Sequence, residues 1–246
     1  MGRRVSVIIP VRNDDAALAR TLDHLDHVGT TTGVEIIVGA SGDLDGTTRA
    51  IRMRGRLVWP DGSTRAALMN AAAAEATGDV LLFLHADSLP PPDAVASIAR
   101  VLEDERVVGG AFEHRFDEPG WSLRAISLIN RVRYRLTRNY YGDQGLFVRA
   151  DAFRQLGGFK DWALMEDLDL SQRLKGIGRT VLVRTPLRTS GRRFIARGPW
   201  RTFFVIVWLL LRHTLHLDTQ RYAERWRGPG DRPPGSAWER QGAPER

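Results

Sequence analysis

Val80-Leu81-Leu82-Phe83-Leu84-His85-Ala86-Asp87-Ser88 carries a continuous apolar run straight into a histidine and an aspartate. So short and unbroken a run reads as a strand covered on both faces, as in sheets flanked by helices. Its polar end then faces a crevice, which makes His85, Ala86 and Asp87 the first candidates for a site.

The segments before it repeat one pattern. Val5 to Val11 is apolar and β-branched, Asn13-Asp14-Asp15 is a turn signal, and Leu18, Leu22 and Leu25 recur at helical spacing. Val34 to Val38 is a second strand, followed by a loop from Gly39 to Gly46 and a helix starting near Thr47. Arg56 to Trp59 is a short third strand, Thr64 to Ala76 an alanine-rich third helix, and Val80 to Leu84 the fourth strand. Pro90-Pro91-Pro92-Asp93 opens a helix from Ala94 to Leu102, because proline and aspartate are favoured at a first turn. Strands alternating with helices on short connections predict an α/β fold, a mostly parallel central sheet with helices on both faces. Ligands in such sheets bind beyond the carboxyl ends of the strands. The loops starting at Arg12, Gly39, Pro60 and His85 all lie there and are expected to converge.

Past residue 105 the alternation loosens. Val107 to Phe112, Gly145 to Val148 and Thr180 to Val183 read as strands, Trp121 to Leu136 and Asp167 to Leu174 as helices. A final helix is predicted from Trp200 to Leu217, with the stretch Phe203 to Leu211 apolar all round. That stretch falls short of the roughly 20 residues that span a bilayer, so the helix is either buried or interfacial. Arg197, Arg201 and Arg212 flank it, as the interfacial reading requires, while the buried reading stays open. From Gly228 onward proline and glycine recur without apolar periodicity, so 228–246 is expected to be a disordered tail and 1–227 a single domain.

Composition bounds the function. The 246 residues, 43% hydrophobic, suffice for one large core. With no cysteine the chain has neither disulfides nor cysteine-ligated zinc, which fits a reducing cytoplasm but is shared by many exported proteins. Met1-Gly2-Arg3-Arg4 is basic, yet the apolar run after it is broken by Pro10 and Arg12 and lacks a small-residue cleavage site, so it reads as a strand and not a signal peptide. The net charge of +7 draws polyanions, whether nucleic acid, an anionic membrane or phosphorylated small molecules. No clustered Lys/Arg and aromatic stripe accompanies it, so nucleic acid is not expected as a partner.

Several pieces in order then form a pattern. Val5-Ser6-Val7-Ile8-Ile9-Pro10 with Asn13, the loop ending Asp45-Gly46-Thr47, Arg65 and Asn70 before Gly78-Asp79, the strand end at Asp87, and Met165-Glu166-Asp167 together resemble a family 2 glycosyltransferase of the GT-A fold. The resemblance runs over roughly residues 5 to 195. It implies a Rossmann-like sheet with a nucleotide-sugar half at 1–105, an acceptor half at 106–198 and a C-terminal apolar helix at 199–227. The implied reaction moves a sugar from a UDP- or GDP-linked donor to an unidentified acceptor with inversion at the anomeric carbon. Such transfer needs recognition of the nucleoside, neutralisation of the leaving diphosphate, and a base for the acceptor hydroxyl.

Each task has candidates. GT-A enzymes resemble one another in an Asp-X-Asp at the fourth strand end that binds a divalent cation, Mn²⁺ or Mg²⁺, and here it reads His85-Ala86-Asp87. Asp87 is the implied metal ligand; His85 is a second metal candidate, a partner for the ribose, or a loop-end residue satisfied by backbone. Pro10, Arg12 and Asn13 resemble the nucleoside loop. The acid usual after the second strand is missing at Ala40, and Asp43 or Asp45 is the substitute, although Asp45 reads equally as a helix N-cap. Arg65, near a helix N-terminus, suits a phosphate or is a surface residue. By resemblance Asp167 is the base with Glu166 supporting it, and helix capping is the other reading of that pair. Asp143 and Gln144, between Tyr141 and Gly145, line the acceptor side or make a tight turn. Arg192 and Arg193 grip a diphosphate or an acidic acceptor, or are solvated. Because Ala40 and His85 stand where acids are expected, a catalytically silent GT-A-like binding or scaffolding protein is the alternative. Localisation is expected to be cytoplasmic with peripheral membrane contact, and the sequence leaves the oligomeric state open.

Overall fold

The computed structural model describes residues 3–28, 33–42, 44–51 and 54–223; the start Met1-Gly2, Asp43 and the tail 228–246 lie outside the described residues. In chain order the elements are β1 (Val5–Arg12), α1 (Asp15–His27), β2 (Val34–Ser41), α2 (Leu44–Ile51), β3 (Arg56–Val58), α3 (Arg65–Ala74), β4 (Val80–Phe83), β5 (Ser88–Leu89), α4 (Ala94–Val101), β6 (Val107–Phe116), α5 (Trp121–Thr137), β7 (Leu146–Arg149), α6 (Ala150–Gln155), α7 (Glu166–Ile177), β8 (Arg179–Thr189), α8 (Arg192–Arg197) and α9 (Pro199–Thr214), with 3-10 turns at Gly142–Gln144 and Gln220–Tyr222.

The apolar run of β4 is buried throughout and sits inside the sheet, parallel to β1 and antiparallel to β7. Strand order is β3-β2-β1-β4-β7-β6-β8-β5. The pairings set β1, β2, β3, β4, β6 and β8 in one direction and β7 and β5 against them, so the sheet is mostly parallel. Side chains alternate across it with the period of a pleated strand. Val7, Ile9 and Leu82 enter one core with Leu18 and Leu22 of α1 and Ile98 of α4. Ile8, Leu81 and Phe83 enter a second core with Met69 of α3 and Leu170 and Leu174 of α7. Helices thus cover both faces, and each such side chain removed from water stabilises the fold by about 1.5–3 kcal/mol.

The later strands run further than their apolar pattern. β6 continues past Phe112 through Glu113 and His114, both buried, to Phe116. β8 continues to Thr189 through Pro186, and the register slips so that Phe112 pairs with Val183 but Glu113 with Pro186. That irregularity accommodates a proline that would otherwise break a ladder. The short elements β5, α6 and α8 were not predicted, having too few residues for a period to show. α2 starts at Leu44 instead of near Thr47, so Asp45 lies within its first turn and is not its N-cap. α9 opens with Pro199 at its first turn, where a missing N–H costs nothing.

Candidate active site

Because six strands share one direction, their carboxyl ends gather on one side. Arg12 at the end of β1, His85 just past β4, Phe116 closing β6 and Thr189 closing β8 all line one cavity of about 350 Å³. Its polar lining includes Arg65, Asp87, Asp143 and Asp167; its apolar lining includes Leu164, Met165, Phe194, Ile206 and Leu209.

Arg65 is the hub of the polar side. The Thr64 hydroxyl accepts from the Ala67 N–H at 3.0 Å and caps α3, which sets Arg65 at the helix start. Its Nε donates to Glu166 Oε1 at 2.5 Å, Nη1 lies 2.8 Å from His85 Nε2, and Nη2 lies 3.5 Å from Asp167 Oδ2. A guanidinium only donates, so His85 Nε2 accepts and the ring proton sits on Nδ1. Burial, reinforced by the charges of Arg65 and Arg193, holds His85 well below its usual pKa of 6.5, so the ring is neutral at pH 7. Glu166 is fully buried; burial raises its pKa and Asp167 adds to this, against the pull of Arg65. Burial also works against the charge on Arg65, but Glu166 and Asp167 outweigh it and the guanidinium stays ionised.

Asp167 Oδ2 accepts the Gly142 N–H at 2.7 Å and Oδ1 the Leu168 N–H at 2.7 Å. Glycine is required at 142 by this approach, because a Cβ there would lie 2.5 Å from His85 Nε2. Met165, at the N-cap of α7, has φ 66°. Holding a non-glycine residue in that region costs about 1–3 kcal/mol, and it turns the chain so that α7 begins with two carboxylates beside Arg65.

A second cluster lies at the strand ends. Arg192 hydrogen-bonds to Asp14, and its Nη2 is 3.9 Å from Asp87 Oδ2. Burial raises the pKa of Asp87, Arg192 and Arg193 offset this in part, and Asp14 adds to it. Among the described residues no group of three or more His, Asp and Glu side chains is arranged to hold a metal ion. That donor set still fits a cation of the Mg²⁺ or Mn²⁺ kind, which is commonly held by one or two carboxylates plus substrate phosphates. Asp87 and Asp14, both near the Arg192 guanidinium, are the carboxylates of that kind at these strand ends. His85, the second metal candidate, turns its Nε2 to Arg65.

The remaining candidates divide. Pro10, Arg12, Ala86, Asp143, Arg192 and Arg193 line the cavity. Asn13 has φ 49° and faces Gly42, where a Cβ would lie 2.0 Å from Asn13 Oδ1, so the loops after β1 and β2 touch. Ala40, where the usual acid after the second strand is missing, is wholly buried in the core with α1, so its side chain is not offered to a ligand. Asp45 is exposed in the first turn of α2 and does not line the cavity, and Asp43 lies outside the described residues. Gln144 is buried; its amide donates to Phe112 O at 3.0 Å and accepts from Tyr141 N at 3.0 Å, which braces the turn before β7. Sequence reasoning missed Asp14, whose turn-forming neighbours masked it, and His114, buried with Nε2 2.7 Å from Thr189 Oγ1 and 3.7 Å from Asp143 Oδ2. It also missed Phe194 of α8 and the contribution of α9 to the cavity.

Comparison with known proteins agrees with this architecture. The sequence pattern described as glycosyl transferase family 2 matches residues 6–156. An undecaprenyl-phosphate 4-deoxy-4-formamido-L-arabinose transferase of Klebsiella pneumoniae is 30% identical over 162 residues, covering 60% of this chain and 48% of the relative. The protein of the same description from Yersinia pestis is 26% identical over 160 residues with the same coverage. The chain therefore spans about half the length of the curated relatives it matches. Among solved structures, the mannosyltransferase PcManGT of Pyrobaculum calidifontis, in complex with GDP-Man and Mn²⁺, superposes with a TM-score of 0.61 at 21% identity, covering 77% of this chain and 57% of that one. Glucosyl-3-phosphoglycerate synthase of Mycobacterium tuberculosis, in complex with Mn²⁺, UDP and glucosyl-3-phosphoglycerate, superposes with a TM-score of 0.57 at 20% identity, covering 75% of this chain and 71% of that one. The fold is of the GT-A type, and with the family pattern covering more than half its length, the chain belongs to glycosyltransferase family 2.

Proposed function

We propose that the chain transfers a sugar from a UDP- or GDP-linked donor to an acceptor hydroxyl, with inversion and with the help of a divalent cation. The observation that carries this reading is that Asp87, Arg65 and Asp167 line one cavity at the carboxyl ends of the strands. In it Pro10 and Arg12 border the nucleoside, and Arg65, Arg192 and Arg193 supply positive charge toward the diphosphate. Asp87 would hold Mn²⁺ or Mg²⁺, which when bound neutralises charge on the leaving phosphate oxygens. Asp167 takes the proton from the acceptor hydroxyl as its oxygen bonds to the anomeric carbon and the bond to the diphosphate breaks on the opposite face. Glu166 holds Arg65, and Arg65 with the Gly142 N–H keeps the Asp167 carboxylate aimed. Asp143 stands on the acceptor side. The names of the curated relatives support an acceptor carried at a membrane, and the reading puts the enzyme in the cytoplasm against a membrane surface.

Asp167→Asn is expected to lower transfer by about 10²–10⁴-fold, the usual contribution of a positioned base, while UDP or GDP binds as in the parent. Loss of nucleotide binding in the same variant removes the base assignment. The competing reading, a silent GT-A-like binding protein, draws on the burial of Ala40 where a nucleoside acid is expected. It is separated by melting temperature: with Mn²⁺ and UDP or GDP the parent is stabilised and Asp87→Ala is not. If neither nucleotide raises the melting temperature and Asp87→Ala changes nothing, transfer is abandoned.

A further inference from the structure

We propose that the outward faces of α5 and α9 form one docking surface for an anionic lipid bilayer. This deepens the membrane part of the proposed function, naming the face and the lipid charge, and its test is read without catalysis.

α9 is apolar on two opposite faces. Ile206, Leu209 and Leu210 line the cavity, whereas Phe204, Val205, Trp208, Leu211 and Leu215, at i, i+1, i+4, i+7 and i+11, are exposed. α5 packs beside it, through Leu123 and Ile126 against Trp200 and Phe203. Its own outward side presents Trp121, Leu128, Ile129, Val132 and Leu136, with Trp121 and Leu136 more than three-quarters exposed. The Trp121 and Trp200 rings meet with centroids 6.0 Å apart where the two helices begin. So many exposed large apolar side chains on two helices that pack together are uncommon on a surface that faces only water.

Charge selects the occupant. α5, α8 and α9 contain no aspartate or glutamate, and Arg124 and Arg201 are exposed along α5 and α9. A second copy seated on the same face would oppose these arginines with themselves, because a two-fold contact pairs one patch with its like. Anionic headgroups complement them, and tryptophan and arginine beside an apolar stripe are the residues that settle a helix in a membrane interface. No helix among the described residues is long and apolar enough to cross a membrane, so the contact is with the surface. A bilayer seated on α9 would lie about one helix diameter, roughly 10–12 Å, from the cavity that the same helix walls.

The test is flotation of the full chain with phosphatidylcholine vesicles and with vesicles in which about a third of the lipid is phosphatidylglycerol. Partition onto the anionic vesicles is expected to exceed that onto neutral ones by about tenfold, and to weaken as salt rises. Phe204→Ser with Leu211→Ser is expected to abolish it, and Arg201→Glu to reduce it several-fold, with melting temperatures unchanged. The proposal is overturned if the parent floats with neither vesicle, or if the variants float like the parent. It is equally overturned if the parent is a dimer that the serine variant dissociates, or if removal of residues 224–246 is needed before anything floats. Failure here leaves sugar transfer standing, since Asp167→Asn reads that separately.

Discussion

β4 and α9 both lead residues to the same cavity, yet β4 is buried along its whole length while α9 keeps Phe204, Trp208 and Leu211 in solvent. The strand is held by two ladders and by cores on both faces, so the side chains that follow it, His85 and Asp87, stand on a rigid base. The helix is anchored on two small clusters, Trp200 and Phe203 with Leu123 and Ile126 of α5, and Leu209 with Leu164 and Ala223. Polar chemistry is therefore mounted on the stiff region and apolar lining on the lightly held one. This is the division expected where charged groups must be kept within tenths of an ångström but an apolar wall need only exclude water. The family match, residues 6–156, covers β4 and leaves α9 outside.

The largest effect that bears on this contrast is expected at Arg65. Arg65→Met leaves Glu166 fully buried without its partner, which costs about 3 kcal/mol, the low end for a broken buried pair because the guanidinium itself is 37% exposed. Urea unfolding measures it, and adding Glu166→Met should recover most of the loss by removing the stranded carboxylate. Arg201→Met, on exposed α9, should stay within about 0.5 kcal/mol of the parent. Equal losses at the two arginines would erase the distinction between a rigid polar base and a lightly held wall.

The same contrast governs what the sequence could disclose. The first four strands were legible because their side chains face cores on both sides, so hydrophobicity alone marks them. β6 was read short because Glu113 and His114 are polar yet buried, with partners Arg131, Arg135 and Thr189 from elsewhere in the chain, and β8 because Arg184, Thr185 and Pro186 interrupt its apolar run. Partners distant in sequence leave no local signal. Asp87 and Asp167 were singled out through motif order, and they line one cavity at the carboxyl ends of the strands. The involvement of Asp14 depends on an arginine 178 residues away, and nothing local forecast it. The apolar run of α9 was visible, but which of its faces would meet the cavity depends on where α5 and the Ala163–Met165 stretch sit.

Acidification is expected to loosen the polar side next. His114 is buried and His85 half-buried, and the pKa values of both are lowered first of all by desolvation, so the unfolded chain takes up protons that the folded chain refuses. Stability contributed by such groups is present above the unfolded pKa of about 6.5 and is lost as pH falls below it, at up to about 1.4 kcal/mol per histidine per pH unit. Urea midpoints between pH 7 and pH 5 should fall, and His85→Gln should make the decline shallower. A flat profile across that range would mean that neither imidazole is kept neutral by its surroundings.

The smallest effect is the most discriminating for α9. Phe204→Ser removes a ring that is 63% exposed, so little apolar burial is lost and stability should move by no more than about 0.5 kcal/mol. Leu209→Ala, on the opposite face of the helix and 2% exposed, should cost about 2–3 kcal/mol, toward the lower end for a buried leucine because its cluster is small and can collapse. Thermal unfolding of the two variants therefore reports which side of α9 holds it to the protein. If Phe204→Ser proves as costly as Leu209→Ala, its ring is covered in solution by something other than water. The outward face would then already have a protein partner, and a bilayer would have to compete for it.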